Sequence, residues 1–170
     1  MITNKWFNGI ENAKGAVDLR REVFVQEQQI PEEGEFDALD SQAMHLVVYD
    51  GETPVATGRV VHDGKTFRIG RLAVKKDCRG QGFGDLLIKL LLLKVFEFGP
   101  SVVRISAQTY AQAFYERYGF RKTGDEFMEE GIPHIPMEVT KETLVFKSKC
   151  GHDKTFWDFF EEAGPEQSDG

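Results

Sequence analysis

Cysteine is scarce in this sequence. Among its 170 residues only Cys78 and Cys150 carry thiols, too few for the disulfide framework that staples small secreted domains. Cys150-Gly151-His152 places one thiol beside one imidazole, but no second ligand pair stands at a spacing that closes a tetrahedral zinc site, so no metal is expected. Proline is also sparse at 6 residues, and with 41% hydrophobic and 29% charged residues the composition excludes collagen, low-complexity scaffolds and disordered tails. Long apolar runs are missing. The densest, residues 86–98, is broken by Lys89, Lys94 and Glu97 and falls short of the ~20 residues that cross a bilayer. Met1-Ile2-Thr3-Asn4-Lys5-Trp6 lacks the apolar core of a signal peptide. Basic charge is in deficit, with a net charge of -7, which argues against a general nucleic-acid binder. The expectation is one soluble cytoplasmic domain that contacts neither membrane nor nucleic acid. A chain of this size buries roughly 70% of its unfolded surface without staples.

The charge that is present is unevenly spread. Glu32, Glu33, Glu35, Asp37 and Asp40 fall together with no basic residue among them, whereas Lys65, Arg68, Arg71, Lys75, Lys76 and Arg79 surround the single acid Asp77. The first run suggests a field that attracts a cation, and the second a site for a polyanion.

Apolar periodicity divides the chain further. Ala16, Leu19, Val23 and Phe24 recur at helical spacing within residues 11–27, and the acidic stretch after Pro31 reads as a loop or short irregular helix. Strands are predicted at residues 46–49, 55–61 and 66–74, joined by the hairpin-forming Asp50-Gly51-Glu52 and Asp63-Gly64. A helix over residues 85–98 closes at Gly99-Pro100. A strand over 102–107, a helix over 111–118 ended by Gly119, and strands near 124–128 and 135–139 complete the pattern. The predicted order is helix, three strands, helix, strand, helix, two strands. Beyond it, Phe156, Trp157, Phe159 and Phe160 form one face of a short helix that Asp153 can cap. The helix over 85–98 is apolar on nearly every side, so it needs cover from this aromatic segment or from a second subunit in a homodimer.

Arg79-Gly80-Gln81-Gly82-Phe83-Gly84 stands between a strand and a helix. Glycines at such a point let the backbone approach a ligand, and the unpaired N–H groups of a helix start attract phosphate. A dinucleotide fold would need the loop after the first strand of a parallel unit and an acidic residue ending the next strand, yet the next strand ends in Ser106-Ala107-Gln108. A P-loop would need Gly-Lys-Ser/Thr, yet Gly84 is followed by Asp85.

Leu72-Ala73-Val74 followed by Arg79-x-x-Gly82-x-Gly84 resembles the acetyl-coenzyme A signature of the GCN5-related N-acetyltransferases (GNAT), and Phe114-Tyr115-Glu116-Arg117-Tyr118-Gly119-Phe120 is similar to that family's second hallmark. Arg20-Arg21-Glu22-Val23-Phe24-Val25-x-Glu27-Gln28 and Gly131-Ile132-Pro133-His134-Ile135-x-Met137 resemble a subgroup of small bacterial members. The resemblance implies an α/β fold of the α+β type, a mixed, mostly antiparallel sheet flanked by helices over residues 1–140; residues 141–170 lie outside it and read from their own pattern as a helical extension. It implies transfer of the acetyl group of acetyl-coenzyme A to a primary amine of a small molecule through a tetrahedral intermediate. On this reading Leu72, Ala73 and Val74 pair with the pantetheine arm, and Arg79, Gly80, Gln81, Gly82, Phe83 and Gly84 hold the pyrophosphate. Gln108 is grouped with the cofactor residues. The Val74 N–H is placed to stabilise an oxyanion. Tyr115 protonates the departing thiolate, and Glu27, Asp37 and His134 compete as the base. Arg71 departs from members that carry a glutamate on this strand.

Two further readings stay open. Arg20, Phe24, Glu35, Asp37, Asp40 and Arg59 loosely resemble the N-terminal pattern of acyl-homoserine-lactone synthases, and a non-catalytic acyl-coenzyme A-binding module is the reading outside enzymes.

Overall fold

Short apolar strands punctuated by Asp-Gly turns build the first part of the molecule as a meander. The computed structural model describes residues 1–147 and 153–155, and the chain divides into two compact units, Met1–Pro100 and Ser101–Gly170. In the first unit, β1 (Ile2–Asn8) is followed by a helix whose initial part, α1 (Lys14–Arg20), continues as a π-helical turn over Arg21–Glu27. The widened turn is visible in the Gln28 N–H, which donates to the Val23 carbonyl five residues back at 3.1 Å. A short α2 (Glu32–Glu35) leads to β2 (Met44–Asp50), β3 (Thr53–His62) and β4 (Phe67–Val74), each antiparallel to its predecessor, with β1 antiparallel to β2. α3 (Phe83–Phe96) packs on β3, where Gly58 permits close approach: a Cβ there would lie 2.7 Å from the Leu91 Cδ1.

The predicted order begins with a helix, and β1 corrects it. Ile2–Asn8 is an edge strand with residues 2–5 exposed, so neither face carries the apolar alternation that reveals a half-buried strand.

The pairing of β3 with β4 is irregular at one point. Thr57 pairs with Ala73 and Arg59 with Gly70, so Arg71 and Leu72 together oppose the single residue Gly58. This is a β-bulge, and Arg71 sits in it at φ 53°, a left-handed conformation that a non-glycine residue rarely adopts.

The second unit contains β5 (Val103–Gln108), α4 (Gln112–Glu116), β6 (Arg121–Lys122), β7 (Phe127–Glu129) and β8 (Ile132–Val139). β8 pairs antiparallel with β5, β6 and β7. β9 (Val145–Lys147) and β10 (Asp153–Thr155) form a second, two-stranded sheet. A helix starting directly after Asp153 is therefore not formed, because Lys154 and Thr155 already pair in that sheet. The aromatic segment 156–160 and the Cys150-Gly151-His152 tripeptide lie outside the described residues. Among the described residues no helix is long and apolar enough to cross a membrane, and no three His, Cys, Asp or Glu side chains gather as a metal site.

Four acids of the run do not stand free, because arginines from other elements meet Glu32, Glu35, Asp37 and Asp40, while Glu33 stays exposed. Arg20, 1% exposed, donates from Nε to Glu35 Oε1 at 2.9 Å, from Nη1 and Nη2 to the two Asp40 oxygens at 2.7 and 3.0 Å, and from Nη2 to the Glu35 carbonyl at 2.9 Å. Arg59 on β3 donates to both Asp37 oxygens at 2.8 and 3.0 Å and to Asp40 at 2.8 Å. Glu32 pairs with Arg21 at 2.7 Å. His45 Nε2–H donates to the Asp40 carbonyl at 2.9 Å. Buried charges persist only when paired this completely.

Burial pushes the Asp40 carboxyl upward, but the hydrogen bonds and charge of Arg20, aided by Arg59, outweigh it and hold the group at about 2, below its ordinary 3.8. A depressed carboxylate pKa stabilises the fold above the unfolded value and is lost as pH falls through the folded one, here worth about 2 kcal/mol. Asp40→Asn keeps the shape and removes the charge. It should lower stability by about 3 kcal/mol at neutral pH, since it strands buried guanidinium charge. In urea titrations the gap from the parent should narrow as pH drops from 3.8 toward 2; a gap independent of pH would show that the Asp40 charge is not what stabilises the cluster.

Candidate active site

β4 ends at Val74, and a single 3-10 turn over Lys76–Cys78 carries the chain to the glycine loop. Gly80 and Gly82 adopt φ 79° and 87°, both left-handed, and a Cβ built on either would meet nothing within 4 Å. Their need for glycine therefore comes from the backbone conformation, and the space beside them is open. Gly82 is the N-cap of α3 and makes no side-chain cap; the helical ladder begins with the Leu86 N–H on the Gly82 carbonyl at 3.1 Å. By helix geometry the Phe83 and Gly84 N–H groups have no intrahelical acceptor. The Phe83 ring is buried and anchors this helix start.

Arg79 lies at the edge of the loop. Its Nη1 and Nη2 donate to the two Glu27 oxygens, each at 2.8 Å, and its Nε to the Val74 carbonyl at 3.1 Å. Lys75 and Glu22 come within 3.9 Å of each other. Two acids of the π-helical turn thus face two cations of the loop. The Arg79 hydrogen bonds hold the Glu27 carboxyl below its ordinary value. A carboxylate so engaged has little tendency to take a proton, so Glu27 holds the loop arginine and is poorly suited as a base. Asp37, the other carboxylate candidate, is tied to Arg59 and Arg71.

In the second unit the three predicted residues sit on adjoining elements. Gln108 ends β5 and pairs in register with His134 on β8. Tyr115 is on α4, which stops where Gly119 turns to φ 91°. Its ring is buried and meets Phe114 and Phe120 edge-on at 5.2 and 5.6 Å. Burial pushes the phenol well above its ordinary value, with Tyr110 adding in the same direction, so the hydroxyl stays protonated.

His134 is buried and its orientation is fixed. Nδ1 lies 2.7 Å from the Ile132 carbonyl, and because a carbonyl can only accept, the hydrogen of the neutral ring is on Nδ1 and the lone pair on Nε2. Nε2 faces Glu129 Oε2 at 3.6 Å, and Phe127 stacks on the ring at 5.8 Å. Phe127 and Glu129 reach it through a tight hairpin in which Glu130 and Gly131 take φ 49° and 73°. Sequence reading misses both partners. The Glu130-Gly131 pair is their signal, since a two-residue turn with left-handed dihedrals fixes the register of the flanking strands.

Comparisons with known proteins place the chain in a family. Residues 11–141 match the acetyltransferase (GNAT) domain family. The chain is 40% identical over 128 residues to an uncharacterized N-acetyltransferase, YjcF, of Bacillus subtilis, covering 75% of this chain and 91% of that protein. Crystal structures of a putative N-acetyltransferase from Lactobacillus plantarum and an acyl-CoA N-acyltransferase from Pseudomonas aeruginosa superpose with TM-scores of 0.75 and 0.73. Each is 30% identical, and the matches cover 82% and 81% of this chain and 97% and 99% of theirs. The glycine loop, the strand before it and the tyrosine helix all lie within the matched span, and the chain belongs to the GNAT acetyltransferase family.

Proposed function

We propose that this protein is a cytoplasmic N-acetyltransferase that moves the acetyl group of acetyl-coenzyme A to the primary amine of a small molecule. The observation that carries this reading is the loop before α3: two left-handed glycines with open space beside them, at the start of a 14-residue helix with no side-chain cap. Aligned peptide dipoles and first-turn N–H groups make such a point attractive to phosphate. Arg79 adds a charged donor that can grip the pyrophosphate. Acetyl-coenzyme A would supply an activated thioester. The backbone of Leu72, Ala73 and Val74 would hold its pantetheine arm in the manner of an added strand, so the acyl end lies toward the bulge at Arg71 and Leu72.

The chain's own groups then divide the work. The reaction forms a C–N bond to the amine and breaks the C–S bond, and the amine must shed a proton for the thiolate to gain one. His134 is the base in this reading, because its Nε2 carries the lone pair whereas Glu27 is bound to Arg79. On taking the proton, Nε2 would face Glu129 as an ion pair. The Val74 N–H stabilises the oxyanion of the tetrahedral intermediate. Tyr115 donates its O–H toward the departing sulfur; the raised phenol keeps that proton at neutral pH, so its first contribution is a hydrogen bond to the developing thiolate charge.

Three outcomes test these assignments. Gly82→Val forces a β-branched residue into a left-handed position and puts a side chain into the open space, and should weaken coenzyme A binding by at least about 10-fold in calorimetry. Unchanged affinity would place the phosphate site elsewhere. Tyr115→Phe should slow turnover by roughly 10²-fold with coenzyme A affinity nearly intact; parallel loss of both would identify a packing role. His134→Gln should cost a similar factor, roughly 10² in kcat, with coenzyme A affinity nearly intact. An unchanged kcat would assign the base to another group.

A further inference from the structure

Arg71 is the member of the arginine–carboxylate cluster that the cluster does not use up. Arg20 and Arg59 already satisfy Asp40 on both oxygens, Asp37 on both oxygens and Glu35 on Oε1. Arg71 adds only longer contacts: Nε to the Glu35 carbonyl at 3.1 Å and to Glu35 Oε1 at 3.4 Å, and Nη2 to Asp37 Oδ2 at 3.2 Å. These contacts fix the guanidinium on one edge. Its Nη1 has no acceptor among the described residues, and none of their buried side-chain nitrogens lacks a partner, so Nη1 reaches the surface. The side chain is 22% exposed.

The backbone at this residue points the same way. Arg71 occupies the β4 bulge at φ 53°, a conformation that glycine would take without strain, and bulges of this kind re-aim a side chain. The bulge stands at the start of Leu72-Ala73-Val74, about 10 Å of extended chain before the loop. If pantetheine runs along those residues, its thioester end is the end nearest Arg71.

Resting on the acetyltransferase reading above, we infer that Arg71 recognises the acceptor: its Nη1 edge takes a carboxylate, and the acceptor is an amine that also carries a carboxylate, of the amino-acid class. A guanidinium held from behind by fixed carbonyl and carboxylate groups is preorganised for such a contact. The three acids nearest Arg71 offer no counter-argument, because Glu35, Asp37 and Asp40 are already bound by Arg20 and Arg59.

The test compares the common amino acids with their carboxamides as acceptors for the full-length protein and acetyl-coenzyme A, read by release of free thiol. The carboxylate members should be favoured by about 10-fold or more in kcat/KM, as expected for one charge-assisted contact. Arg71→Gln should erase that preference by raising KM for the acids alone, Arg71→Lys should restore part of it, and coenzyme A affinity should not move. Equal turnover of acids and amides by the parent protein overturns the inference without reference to any variant. So does an Arg71→Gln enzyme that slows acids and amides by one common factor, which is the mark of a structural role. Turnover of amines that lack a carboxylate, with no amino acid accepted, also overturns it while leaving the acetyltransferase reading intact. Absence of coenzyme A binding instead removes that reading.

Discussion

Removing a guanidinium from water costs several kcal/mol unless its donors are met by fixed acceptors, and this chain buries Arg20 almost completely within its first unit. The requirement organises much around it. It draws the acidic stretch after Pro31 inward, so that Glu35 and Asp40, far apart from Arg20 in sequence, become its ligands. It brings in β3 through Arg59 and β4 through Arg71. A capping box, in which Asp37 and Asp40 bond reciprocally across a 3-10 turn, stiffens the same stretch. The segment with the fewest apolar residues is thereby given a definite position by charge instead of by hydrophobic burial.

The helix that carries Arg20 links this cluster to the loop. Directly after Arg20 the backbone widens into the π-helical stretch, and Glu22 and Glu27 then face Lys75 and Arg79. The same helix thus carries the buried Arg20 and, through Glu22 and Glu27, holds the two cations that flank the glycine loop. Arg79 shows the consequence, because its bidentate partner is a carboxylate and a pyrophosphate would compete for the same guanidinium. Loop, bulge and strand lie within one unit, where the order of residues along β4 sets the order in which a long cofactor would be read.

Much of this is legible in the sequence. The alternation from Met44 to Val74 and its two Asp-Gly turns indicate the meander, and the spacing of Arg79, Gly82 and Gly84 marks the loop. The bulge cannot be read, since a one-residue insertion in a strand leaves no periodic trace when its residue is an arginine. β1 escapes notice because an exposed edge strand has no apolar face to reveal it. The acidic run misleads in part: five acids in nine residues look like an exposed field, yet Glu35, Asp37 and Asp40 are bound by Arg20, Arg59 and Arg71, which stand apart from them in the chain. Glu27 reads as a base candidate for the same reason, since its pairing with Arg79 spans 52 positions. Residue types foretell the chemistry available; pairing across the fold decides which groups keep it.

The central claim is that acetyl-coenzyme A lies along the end of β4 with its pyrophosphate over the helix start. Backbone amide resonances recorded while acetyl-coenzyme A is added test it most directly. Leu72 and Val74 and the run from Arg79 to Gly84 should shift together and saturate at one dissociation constant, with Gly80 and Gly82 among the largest changes. Saturating shifts confined to other residues, with the Gly80 and Gly82 amides unmoved, would contradict it.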